Sequence, residues 1–315
     1  MGETLILALG MDGSGLGVAV ATPFKADGSL DEPALRRLVR YISENQADYL
    51  VVLGTTGEAV TQSLAERLRV VEIVFDEVGD RIPIVIGAGG YDTRAIADEM
   101  RIYAHHFSVQ AFLSVTPYYN KPTAEGLYAH YAHLAERSPR PIILYNVPVR
   151  TGVHLPPAIT LRLAQDFPGQ IIGLKDASLD LIQGMELYAQ KPRDFQLISG
   201  DDVLAAPAIL MGYVGVISVV GNALPQVMKR LVEAALHGEL VRVRELESRL
   251  LPIMRLCFAE GNPTGIKGLL AELGLIEPWT RLPLLPASEG LRMRFREALE
   301  QLKDYALVER LPQSQ

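Results

Sequence analysis

Short apolar runs and longer amphipathic stretches take turns along the first two-thirds of the chain. The runs cover residues 17–23, 49–54, 82–87, 111–116, 141–146, 171–175, 195–200 and 215–220. Each is brief, nearly free of charge and bordered by turn-forming residues, as buried strands are. Between them lie helix-like segments such as Glu32–Glu44, Leu64–Val78, 93–105, 123–137 and 156–165. In the first of these, Leu35, Leu38, Val39 and Ile42 follow the i, i+3, i+4, i+7 spacing of one buried helical face. Strands that alternate with helices imply a parallel sheet. Eight such units in roughly 200 residues predict an α/β fold of the (β/α)8 TIM-barrel type, for which about 250 residues is usual. A doubly wound open sheet is the alternative. It would carry a glycine-rich phosphate turn after its first strand, and Thr22-Pro23-Phe24 stands there instead. After Asn222 the strand pattern stops, and residues 225–236, 239–257, 264–273 and 288–302 read as helices of a C-terminal appendage. The expected organisation is a poorly ordered leader over 1–16, glycine-rich from Gly10, a barrel over 17–224 and a helical region over 225–315.

One run breaks its own pattern. Ile171-Ile172-Gly173-Leu174-Lys175 begins as a buried strand and then places a lysine where an apolar residue belongs. Strand alternation puts Ile171, Gly173 and Lys175 on one face. Two readings stand side by side. The lysine snorkels out of the strand end on its apolar stem, or it is held out of water on purpose, since a desolvated lysine amine is the nucleophile of Schiff-base enzymes.

In barrels the chemistry sits at the C-terminal ends of the strands, and the unusual polar residues of this chain fall there. The second run ends in Gly54-Thr55-Thr56-Gly57-Glu58. Two hydroxyls between glycines form either a cradle for a small carboxylate or an ordinary capped turn. The fourth ends in Thr116-Pro117-Tyr118-Tyr119-Asn120-Lys121, and the fifth in Tyr145-Asn146-Val147-Pro148-Val149-Arg150. Tyrosines at a strand mouth often only pack, but a phenol also relays protons. Arg150 is either a surface cation or a two-pronged carboxylate clamp. Gly200 and Ile217, on the seventh and eighth runs, are readable as site walls or as fold residues, and Asp201 and Asp202 as caps of the next helix. The competing lysines are Lys121, in a polar loop, and Lys267, at the start of an appended helix.

Composition narrows the class. A formal charge of −7 over 315 residues and a pI near 5.5 argue against a nucleic-acid partner. The single cysteine, Cys257, excludes an internal disulfide and suits a reducing compartment. The N-terminal apolar run, Leu5 to Leu9, is too short to span a membrane. The first basic residue is Lys25, so no secretory signal is expected and the protein is read as cytoplasmic. His130 and His133, three apart, lack the carboxylate companion of a metal motif, so neither a metal nor a cofactor is expected.

Taken in order and spacing, these segments resemble the dihydrodipicolinate synthase family, within the pyruvate-dependent class I aldolases that include N-acetylneuraminate lyase. The resemblance runs from about Gly17 to Leu302. It implies a lyase of lysine and diaminopimelate biosynthesis that condenses pyruvate with L-aspartate-4-semialdehyde. Lys175 would form the Schiff base. Thr55 and Thr56 would hold the pyruvate carboxylate, and Tyr145, Thr55 and Tyr119 would form a proton relay. Arg150 would bind the aldehyde's carboxylate, with Gly200 and Ile217 lining the pyruvate site. It also implies a homo-oligomer, a tetramer built as a dimer of dimers, with Tyr119 crossing the dimer interface. The alternatives are another lyase of the superfamily, acting on N-acetylneuraminate or a 2-keto-3-deoxy sugar acid, or a barrel that only binds a 2-oxo acid. The arginine after Tyr145-Asn146-Val147-Pro148 favours the first reading over the sialic-acid lyases. Two departures from the family pattern matter. Leu64, Arg67, Tyr91 and Ala95 stand where lysine-inhibited members carry imidazole, amide and carboxylate groups, which implies weak or absent inhibition by free lysine. Gly265 stands where the motif beginning Asn262-Pro263 usually has a second proline.

Overall fold

The computed structural model describes residues 15–304. Eight strands close into a barrel in chain order. They are β1 (Gly15–Ala19), β2 (Tyr49–Val52), β3 (Ile84–Gly87), β4 (Ala111–Val115), β5 (Ile142–Asn146), β6 (Ile171–Asp176), β7 (Gln196–Ser199) and β8 (Gly215–Ser218). The helices are α1 (Glu32–Glu44), α2 (Leu64–Val78), α3 (Thr93–His106), α4 (Ala124–Arg137), the short α5 (Pro148–Thr151), α6 (Pro157–Asp166), α7 (Leu181–Gln190) and α8 (Ala205–Leu210). Beyond the last strand follow α9 (Pro225–Leu236), α10 (Leu240–Ala259), α11 (Thr264–Glu272) and α12 (Glu289–Asp304). This is the (β/α)8 barrel with a helical appendage that the alternation predicts. Its first strand starts earlier than expected. Gly15 and Leu16 are buried residues of β1, not the end of a leader; the rest of the proposed leader lies outside the described residues. No described helix is long and apolar enough to cross a membrane.

The chain divides into two compact units. One comprises Pro83–Ile217; the other joins Leu16–Ile82 to the chain from Ser218 onward, grouping the first two strands with the C-terminal helices. Local signals explain the element ends in each. In the second unit, Asp31 accepts a hydrogen bond from the Ala34 N–H (3.1 Å) to start α1. Ser63 and Glu66 form a reciprocal capping box at α2: the Glu66 N–H donates to Ser63 Oγ (3.3 Å) and the Ser63 N–H to Glu66 Oε2 (2.8 Å). In the first unit, Asp92, Thr123 and Asp180 cap α3, α4 and α7 in the same manner.

The strands of the first unit set the register of the site. β4, β5, β6 and β7 run parallel, and Val115, Tyr145, Lys175 and Ile198 are successive partners across the four strands. They form one row at the C-terminal end of the sheet.

The two histidines of α4 have different surroundings. His130 is buried, with Nδ1 2.8 Å from Thr93 Oγ1, and His133 is half-buried. Burial, reinforced by repulsion from His133, pushes the His130 imidazole down to about 4. In the unfolded chain the ring takes up its proton near its ordinary value of 6.5, so the unfolded state binds the proton first. The stability contributed by the neutral ring is complete above pH 6.5 and is lost as the pH falls towards 4, by at most about 3 kcal/mol. Replacing His130 with Gln should flatten that part of the stability profile. Denaturant unfolding at a series of pH values checks it; an equally steep fall in the variant would show that His130 is not the titrating group.

Candidate active site

Pairing of β5 with β6 sets Tyr145 beside Lys175. Both side chains are buried, Lys175 with 5% of its surface exposed, and Lys175 Nζ lies 4.4 Å from the centroid of the Tyr145 ring. The aromatic face receives the lysine nitrogen. Among the described residues Lys175 makes no ion pair. A snorkelling side chain would have carried its nitrogen into water; this one stays within the row.

The next residue holds the strand end still. Asp176 accepts hydrogen bonds from the Ser178 N–H (3.0 Å), Tyr213 Oη (3.2 Å) and Asn146 Nδ2 (3.3 Å). Asn146 Oδ1 in turn accepts from the Leu155 N–H (3.0 Å). Burial, with the Asp176 charge beside it, raises the Tyr213 phenol above its ordinary range and keeps it a donor. Gly200 belongs to the same framework. Its N–H donates to the Asp176 carbonyl (2.7 Å), and a Cβ there would stand 2.8 Å from Ala177 Cβ. Close strand packing therefore requires this glycine whatever else its backbone contacts. Ile217 is buried on β8.

The loop after β4 is strained. Tyr119 has φ +69°, and the Asn120 N–H donates back to the Tyr118 carbonyl (2.8 Å) across it. A bulky side chain seldom adopts this conformation. Tyr119 is 87% exposed, while Tyr118 packs edge-on against Tyr91 at 5.7 Å. Arg150 is exposed on α5, directly after β5. Lys121 is exposed, as a polar loop predicts.

In the second unit, Thr55–Gly57 form a single tight turn behind β2, with Thr56 buried and Thr55 partly exposed. No side chain caps this turn, so the capping reading of the two threonines fails. Asn262 Nδ2 donates to Thr56 Oγ1 (3.1 Å), and Gln62 Nε2 donates to the Gly57 carbonyl (2.6 Å). Glu58 ends the turn in the left-handed region (φ +52°) with its carboxylate buried. That carboxylate accepts from Lys267 Nζ and from the Arg281 N–H (2.9 Å).

Lys267 is fully buried on α11. It also donates to the Trp279 carbonyl (2.9 Å) and lies 4.3 Å from the Phe24 ring centroid. Burial pushes its ammonium down to about 8 against the pull of Glu58. The nearby departure from the family motif has a steric reason. A Cβ on Gly265 would stand 2.2 Å from the Cys257 carbonyl oxygen, so α11 approaches α10 too closely for any side chain. Glu58, Asn262 and the pairing of Lys267 are the features that sequence reasoning missed. The available signals were a carboxylate closing a Gly-Thr-Thr-Gly turn and a lysine inside the apolar stretch 264–270.

Two buried lysines are thus distinguished by their partners. Lys267 is committed to a carboxylate and a carbonyl, while Lys175 faces an aromatic ring beside a tyrosine-bearing strand end. The sixth strand of the parallel barrel thus carries a buried lysine that makes no ion pair among the described residues. The profile of the dihydrodipicolinate synthetase family matches residues 12–302. The 4-hydroxy-tetrahydrodipicolinate synthase of Azobacteroides pseudotrichonymphae is 44% identical, over 90% of this chain and 96% of its own length. The dihydrodipicolinate synthase structure from Thermotoga maritima superposes with a TM-score of 0.88 at 39% identity, covering 94% of this chain and 99% of that one. The chloride-inhibited enzyme from Acinetobacter baumannii, complexed with pyruvate, gives 0.89 at 38%, covering 92% and 99%. The chain belongs to the dihydrodipicolinate synthetase family.

Proposed function

We infer that the chain is a 4-hydroxy-tetrahydrodipicolinate synthase: it condenses pyruvate with L-aspartate-4-semialdehyde through a Schiff base on Lys175, in the biosynthesis of diaminopimelate and lysine. The observation that carries the Schiff-base assignment is the buried Lys175 nitrogen, which rests on the Tyr145 ring and makes no ion pair among the described residues. Its amine attacks the pyruvate ketone. Loss of water from the carbinolamine then needs one proton delivered and one removed. Tyr145, with Thr55 and Tyr119, serves as that relay. The resulting enamine carbon attacks the aldehyde, forming the new C–C bond, and the amine of the second substrate displaces Lys175 as the ring closes.

Thr55 and Thr56 bind the pyruvate carboxylate, a role supported by a turn whose hydroxyls cap no helix. Gly200 and Ile217 line the pyruvate site. Arg150, exposed behind β5, clamps the carboxylate of the aldehyde. The chain retains the lysine and all three relay side chains that a purely binding barrel would be free to lose. A cytoplasmic location is supported by a sequence with a single cysteine, Cys257, which cannot form an internal disulfide.

The active form is read as a homotetramer, a dimer of dimers. Two sets of exposed apolar residues support it. One is the strained Tyr119 with Tyr91 and Val149. The other is a row three residues apart on and before α7: Leu179, Ile182, Met185 and Tyr188. Tyr119 would complete the relay of the neighbouring subunit.

Three measurements test this reading. Borohydride reduction with pyruvate should add pyruvate-derived mass at Lys175, and Lys175→Ala and Lys175→Arg should both lose adduct and turnover, since a guanidinium stays protonated. An adduct on Lys121 or Lys267 would overturn the assignment. Arg150→Ala should keep the adduct but lower kcat/KM for the semialdehyde on the order of ten- to a hundredfold, as expected for one charged hydrogen-bonded contact; an unchanged value would remove Arg150 from the site. Ile182, 71% exposed, changed to Asp should halve the sedimenting mass from tetramer to dimer, whereas an unaltered mass would exclude the α7 row as an interface.

A further inference from the structure

We propose that Asn262 is a positioning residue that holds the Thr56 hydroxyl as a donor to the substrate carboxylate. This rests on the reading of Thr56 as a carboxylate ligand.

A hydroxyl has one hydrogen to give and two lone pairs to receive. An anion can use only the hydrogen. Left to itself, a buried threonine hydroxyl turns to whichever neighbour satisfies it, and an acceptor nearby would take the hydrogen away from the ligand. Asn262 prevents this. Its Nδ2 donates to Thr56 Oγ1 at 3.1 Å and so occupies a lone pair. Among the described residues no acceptor takes the Thr56 hydrogen. Both side chains are buried, so bulk water does not compete for either group.

The donor is itself held. Five residues on, Lys267 pairs with Glu58 at the other end of the same turn, and the Lys267 N–H donates to the Pro263 carbonyl (3.0 Å). The segment from Asn262 to Lys267 therefore grips the threonine turn at two points: Asn262 sets a hydrogen-bond direction and Lys267 sets a backbone position.

The test exploits the near-identical shape of Asn and Asp. In Asn262→Asp the new side chain can only accept from Thr56, which reverses the hydrogen bond and draws the hydrogen away from the ligand. Pyruvate KM, and the pyruvate concentration that half-saturates borohydride trapping, should rise on the order of tenfold to a hundredfold. The kcat at saturating pyruvate and KM for the semialdehyde should change less than about threefold, a split that general loosening of the fold would not give. Thr56→Val should raise pyruvate KM by a similar factor. In the Thr56→Val background, Asn262→Asp should then add less than about twofold, because the hydroxyl it acts through is gone.

An unchanged pyruvate KM in Asn262→Asp overturns the proposal. So does an undiminished effect in the Thr56→Val background, which would show repulsion through space rather than orientation. If Thr56→Val alone leaves pyruvate KM at the parent value, the carboxylate reading of Thr56 falls, and this inference falls with it. If Asn262→Asp fails to fold, Asn262→Ala, which frees the hydroxyl to rotate, should still raise pyruvate KM several-fold with kcat retained, and a parent-like value overturns the proposal equally.

Discussion

A lysine ammonium removed from water must be compensated, and on α11 that requirement organises much of the second unit. Lys267 has no exposed surface. The cost of desolvating an ammonium and a carboxylate is several kcal/mol per ion. It is offset only where the geometry is good and the remaining donors are filled. Here Glu58 receives the ammonium, the Trp279 carbonyl takes a second hydrogen, and Phe24 covers the pair. The Arg281 N–H satisfies the other carboxylate oxygen. Removing one member of such a pair typically costs about 3–5 kcal/mol, because the other is left charged and buried. The pair thus acts as a fastener: it ties a helix beyond the last strand to the turn behind β2.

Fastening has a purpose because that turn is not comfortable. Glu58 sits in the left-handed region, and so does Leu53 just before the turn. Tyr119 and Lys121 after β4, and Leu179 after β6, do the same. Five of the six non-glycine residues with positive φ among the described residues therefore follow strand ends. Such residues cost of order 1–3 kcal/mol each and persist only where their surroundings over-determine them. The strain is concentrated where a barrel places its chemistry, and the packed strands and helices below supply the stability that tolerates it.

Lys175 shows the other way to bury a lysine. Its nitrogen rests on an aromatic face instead of a carboxylate, which leaves it uncommitted to a counter-ion. The neighbouring Asp176 is spent entirely on backbone and side-chain donors from its own surroundings. An acidic residue directly beside Lys175 is thereby kept from pairing with it. Adjacent residues on a strand point to opposite faces, so one face carries Lys175 and the other the anchoring carboxylate of Asp176.

The barrel was legible in the chain because hydrophobic periodicity is a local property. Runs such as 141–146 and helical faces such as Leu35, Leu38, Val39 and Ile42 announce their own period, and eight alternations leave little choice of architecture. Lys175, Tyr145, Thr55, Thr56, Tyr119 and Arg150 stand out as candidates for a related reason, since each is a polar or aromatic residue at the end of an apolar run. What the chain could not reveal is what long-range packing decides. Lys267 reads as an ordinary helical lysine until Glu58, 209 residues away, is placed against it. Asn262 reads as a turn residue until the fold brings it to Thr56. Gly265 looks like a lost proline until the Cys257 backbone fills the space its side chain would need. The elements and the candidate polar groups at the strand ends follow from local sequence, because propensity and alternation act over a few residues. The partners that orient those groups come from distant parts of the chain, and only the closed structure determines them.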